Sequence, residues 1–128
     1  MRRGLGAAFL ALSLSACAPQ VEAPKPDFRL DCARGFEALS ADLSALPGYN
    51  LARKEQGEPF HYLNAEDGQI SYMVTEPGAP GHPAILKQRV DRSVSPRRIL
   101  TTGCAYGDQA GYAQLVAYLD SLAKARGK

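Results

Sequence analysis

Asp67-Gly68-Gln69-Ile70-Ser71-Tyr72-Met73-Val74-Thr75 is the stretch that decides the fold. Its Asp-Gly pair signals a tight hairpin turn, because glycine takes the positive φ that such a turn needs. Beyond the turn, Ile70, Tyr72 and Val74 alternate with Ser71, Met73 and Thr75, which is the period of a strand and not of a helix. One of the two faces is apolar, so a half-buried strand is expected.

The same alternation extends outward on both sides. Upstream, residues 60–64 read as a strand, Gln56-Gly57-Glu58-Pro59 as a break, and residues 49–54 as a weaker strand. Downstream, residues 76–83 hold three prolines and two glycines and form a rigid loop, followed by a strand over residues 84–90. After a basic connection, Arg98, Leu100, Thr102, Cys104 and Tyr106 share one face of a last strand. Helices flank this run. Asp31 is placed to cap a first helix, in which Cys32, Phe36, Leu39, Leu43 and Leu46 fall on one face and Arg34, Ser40, Asp42 and Ser44 largely on the other, ended by Pro47-Gly48. Asp108 caps a second, with Tyr112, Leu115, Val116, Leu119 and Leu122 as its apolar stripe and a basic end over residues 123–128. The expectation is an α+β domain: an antiparallel meander of about five strands, four being the alternative count, with both helices packed on one face.

The first residues have a different character. Arg2 and Arg3 precede an apolar run over residues 5–14, with the small residues Ser15 and Ala16 after it, which together make an export signal. The run is far short of the roughly 20 residues a spanning helix requires. Leu14-Ser15-Ala16-Cys17 resembles the lipobox of bacterial lipoproteins. That resemblance implies a diacylglycerol on Cys17, cleavage before it and acylation of the new amine; Ala18 in the next position accompanies sorting to the outer membrane. Residues 18–27, with Pro19, Pro24 and Pro26, then read as a tether, which at about 3.1 Å per residue reaches roughly 30 Å. The layout expected is a removed signal over 1–16, a lipidated cysteine and tether over 17–27, and one domain over 28–128.

With Cys17 assigned to the lipid, Cys32 and Cys104 remain, and in an oxidising compartment two thiols are most simply a disulfide. The strand count bears on that bond. If the first helix runs along the strands, an odd number of strands returns the chain to the end where Cys32 sits, within the ~7 Å between Cα atoms that a disulfide tolerates.

Without the signal the chain carries 13 basic and 13 acidic residues, a balance that, together with the envelope compartment, disfavours a nucleic-acid binder. His61 and His82 have no partner at a metal-ligand spacing, and no serine lies in a nucleophile-elbow pattern. Cys104 lacks a Cys-x-x-Cys companion, and Glu55, Glu58, Glu66 and Asp67 gather at turns. No catalytic residue, metal site or cofactor is assigned. The six tyrosines of the domain fit the edges of a core. The feature that stands out is Lys87, Arg89, Arg92, Arg97 and Arg98, five cations within twelve residues opposed only by Asp91. They are the expected contact for an anionic partner. The function expected is a non-catalytic accessory module, held by its lipid on the periplasmic face of the outer membrane, that docks an envelope protein or anionic envelope polymer. The alternative is a small periplasmic enzyme or enzyme inhibitor acting through its loops.

Overall fold

The hairpin at Asp67-Gly68 sets the register of the whole sheet. In the computed structural model, which describes residues 28–126, it joins β2 (Phe60–Ala65) to β3 (Ile70–Thr75). The expected export signal, the expected lipid site at Cys17 and the expected tether lie outside the described residues. Gly68 has φ +71°, and the Asp67 carboxylate accepts from the Gln69 amide at 2.9 Å. Leu63 thereby faces Tyr72, and Asn64 faces Ser71. β1 (Tyr49–Leu51) adds to β2 on one side; β4 (Ala84–Asp91) and β5 (Arg98–Ala105) follow β3 on the other. All neighbours are antiparallel and the order is β1-β2-β3-β4-β5, a five-stranded meander in an α+β fold.

The two helices lie on opposite faces, not on one. α1 (Phe36–Ser44) sets Leu39 and Leu43 against Leu63, Tyr72, Val74, Ile85 and Cys104. α2 (Gln109–Arg126) sets Leu115 and Leu119 against Phe60, Met73, Ala84 and Leu86. The reason is in β3, whose Tyr72, Met73, Val74 and Thr75 are all at most 3% exposed. A strand that is apolar on both sides in the middle of a sheet needs a cover on both sides. Met73 pairs with Leu86 across the ladder, and that pair is what α2 buries.

The first helix also starts later than the apolar spacing predicts. Asp31 caps only a 3₁₀ turn, Cys32–Arg34, by accepting from the Ala33 amide at 3.1 Å. Gly35 then takes φ +82° and ψ 161°, a conformation outside the helix, so α1 begins at Phe36. Cys32 is therefore carried by the turn and not by a continuous helix. The turn lies beside β5, and Cys32 and Cys104 are disulfide-bonded with their Cα atoms 5.4 Å apart.

α2 is fixed at its start. The Asp108 carboxylate accepts from the Gly111 amide at 2.7 Å, the N-cap expected from the sequence. A Cβ on Gly111 would lie 2.1 Å from the Gly81 nitrogen, so the loop between β3 and β4 and the first turn of α2 meet backbone to backbone.

Candidate functional site

The five cations singled out in the sequence do not form one site. Residues alternate faces along β4, so Lys87 and Arg89 follow Ile85 to the α1 side. Lys87 is engaged there: its ammonium donates to the Phe28 carbonyl at 3.0 Å and lies 5.7 Å from the centre of the Tyr72 ring. The Tyr72 hydroxyl donates to the same carbonyl, also at 3.0 Å, and Phe28 meets Tyr72 edge-on. Lys87 thus clamps the start of the domain. Arg89 is exposed, in register with Ile70 and Leu100, and Arg92 is exposed in the β4–β5 connection.

Asp91 shapes that connection. Its Oδ1 accepts from the Ser93 amide at 3.0 Å and from the Ser93 hydroxyl at 2.6 Å, and Arg98 Nε lies 3.7 Å from Oδ2. Those hydrogen bonds, the hydroxyl's first, hold the carboxyl below the usual carboxylate range. Arg97 and Arg98 border a cleft of about 870 Å³ whose opposite wall is the end of α2, with Lys124 and Arg126. Val90, Ile99 and Ala123 supply its apolar surface, and Asp120 is a carboxylate within it. In the sequence Lys124 and Arg126 are ordinary helix-end charge; the fold brings them opposite Arg97.

A second feature escapes a linear reading. Asn64, Ser71, Gln88 and Thr101 come from four successive strands and stand in register, one row across the α2 side of the sheet. Ser71 Oγ donates to Asn64 Oδ1 at 2.6 Å, and Thr101 Oγ1 to Asp120 Oδ1 at 3.4 Å. On this side of the sheet the apolar contacts of Met73 and Leu86 give way, at this row, to polar side chains. Between the row and the second half of α2 is a cavity of about 490 Å³, also bordered by Glu58, Tyr62, Tyr118 and Arg126. Phe60 packs on Tyr62 with ring centres 5.6 Å apart and on Tyr118 at 5.9 Å. Burial, then the neighbouring Tyr118 and Glu58, push the Tyr62 phenol well above its ordinary range, so it stays an uncharged hydroxyl. Gly68 and Arg126 border both cavities, which makes them neighbours along α2.

Most of the remaining candidates are engaged within the fold. His82 Nδ1 lies 2.8 Å from Thr75 Oγ1, and its ring meets Phe36 edge-on. His61 borders a shallow hollow beside Leu63 and Glu76. Glu58 accepts from the Glu55 amide, Asp67 closes its turn, and Cys104 is consumed in the disulfide. Among the described residues no group of three or more His, Cys, Asp or Glu is gathered to hold a metal ion. No protein-family model matches the chain, and no curated protein or solved structure matches it.

Proposed function

We propose that the protein is a lipid-anchored module of a bacterial envelope that holds an anionic partner in the cleft between the β4–β5 connection and the end of α2. One observation carries this reading: Arg97 of the β4–β5 connection and Lys124 and Arg126 of α2, far apart in sequence, border one cleft, with Arg98 of β5 at its edge. Guanidinium groups bind carboxylate or phosphate through two parallel hydrogen bonds and keep their charge at any envelope pH. The lipobox at residues 14–17 supports the location, and an anchor of two or three acyl chains holds a protein at a membrane without further contacts. Confinement near a surface raises the local concentration of a partner, so a weak contact suffices. In this reading the protein holds its partner and does not transform it.

Two experiments test it. Labelling cells with a fatty-acid analogue marks the wild type and leaves Cys17→Ala unmarked; equal label in both removes the anchor. Crosslinked pull-down from the membranes of its own cells captures a partner in a salt-sensitive way, and the Arg97→Glu, Arg98→Glu, Lys124→Glu triple variant loses it. Exposed charges contribute about 0–1 kcal/mol each, so the triple variant folds. Retention of every partner by a folded triple variant overturns the cleft assignment, and turnover of an envelope substrate by the purified protein overturns the non-catalytic reading.

A further inference from the structure

We infer that the polar cavity between α2 and the Asn64–Ser71–Gln88 row binds a sugar chain, which makes the anionic partner an acidic polysaccharide; this rests on the reading of the basic cleft given above. Sugars present two kinds of surface. Their hydroxyls donate and accept at once, and their C–H faces are apolar. They are recognised by side chains that carry both donor and acceptor, set beside an aromatic ring. The cavity offers that combination. Asn64, Ser71 and Gln88 stand on adjacent strands, which run about 4.8 Å apart; Ser71 and Asn64, bonded to each other at 2.6 Å, form one polar group, and the Gln88 amide stands on the next strand beside it. Tyr118, 40% exposed and braced by Phe60, presents a ring at the rim, and the Tyr62 hydroxyl beside it is uncharged.

Two further observations narrow the ligand class. Extended peptides commonly bind a sheet by adding to an unpaired strand edge. Here β2, β3 and β4 are each paired on both sides, so the cavity is read by side chains alone. The volume, about 490 Å³, lies within the ~300–1,000 Å³ typical of ligand pockets. Arg126 borders both this cavity and the basic cleft, so a chain lying along α2 places its hydroxyls on the polar row and its carboxylate or phosphate groups by Arg97 and Lys124.

The test uses the full lipidated protein in detergent micelles, amide NMR shifts, and two probes: chitotetraose, which is neutral, and tetragalacturonate, which is acidic. Chitotetraose is expected to bind saturably, to shift Asn64, Ser71, Gln88 and Tyr118, and to be insensitive to salt and to Arg97→Glu, Arg98→Glu. Tyr118→Ala and Gln88→Ala weaken it about tenfold each in proteins that stay folded at the measuring temperature, a loss equal to about 1.4 kcal/mol. Tetragalacturonate binds more tightly than chitotetraose at low salt, and the arginine reversals remove that advantage. Absence of saturable binding by both probes overturns the inference, as do shifts that map away from the row or indifference to both cavity variants. If the cavity fails while the crosslinked partner is still lost on charge reversal, the basic cleft stands and the sugar site falls. If chitotetraose binds as described and charge reversal changes nothing, the sugar site stands and the basic cleft falls.

Discussion

Asp91 ends β4 and starts the connection that carries the arginines, so its protonation state bears on how that connection is held. Its carboxyl is depressed by the Ser93 hydroxyl and amide and, less, by Arg98. For a depressed acid the stabilising contribution is present above the ordinary value, 3.8, and is lost as pH falls through the lower folded value. The turn therefore loosens in acid and is indifferent to base. Ser93→Ala is expected to raise the Asp91 titration midpoint followed by carboxyl NMR shifts, and an unchanged midpoint refutes the assignment. Lys87 makes the opposite case, a cation whose role is internal. Lys87→Met removes a donor to the Phe28 carbonyl, a loss of about 1 kcal/mol, and is expected to lower the melting temperature by about 4–8 °C in a domain of this size. Binding in the basic cleft stays as it was, because Lys87 lies on the other face of the sheet.

Elements here are joined by backbone as much as by side chains, and the start of α2 is the clearest instance. Gly111→Ala gains roughly 1 kcal/mol of helix propensity. The new Cβ, however, falls 2.1 Å from the Gly81 nitrogen, where only backbone is present to yield. Overpacking of that kind costs about 1–3 kcal/mol or more, so the net effect is destabilising, and each kcal/mol lowers the melting temperature by about 4–8 °C in a domain of this size. Asp108→Ala, which removes the cap on the Gly111 amide, costs about 1 kcal/mol without moving the loop. A Gly111→Ala protein that melts at or above the wild type refutes the close contact. The strand order was legible because Asp67-Gly68 and the alternation after it belong to neighbouring residues. What stayed hidden depends on pairing. Met73 carries the same alternation whether its face meets water or a helix, so the position of α2 could not be read from β3 alone. The spacing Cys32, Phe36, Leu39, Leu43 runs straight through Gly35, and only the backbone angle there breaks it. Asn64, Ser71, Gln88 and Thr101 are unremarkable polar residues until the ladder register lines them up.

Across the whole molecule, the Cys32–Cys104 bond ties the beginning of the described chain to its last strand over a separation of 72 residues. A closed loop of that length removes about 4 kcal/mol worth of unfolded-state entropy in the chain model, against a total stability of roughly 5–15 kcal/mol for a domain. The two halves of the bond sit in different surroundings: Cys32 is on an exposed turn, and Cys104 is 1% exposed among Val74, Ile85 and Tyr72. Cys32→Ala therefore loses the tie and nothing else, and it melts like the reduced wild type, about 2–4 kcal/mol below the oxidised protein. Cys104→Ser loses the same tie and also buries a hydroxyl in an apolar cluster, a further cost of about 1–3 kcal/mol. Thermal melts in oxidising and reducing buffer decide the matter. The expected order of stability is oxidised wild type, then reduced wild type together with Cys32→Ala, then Cys104→Ser. Equal melting of the two single variants refutes the burial of Cys104. Because the bond lies on the α1 side and the basic cleft beside α2, Cys32→Ala held below its own transition keeps its hold on the anionic partner, and loss of that hold in a still-folded protein means that the two faces are coupled through the sheet.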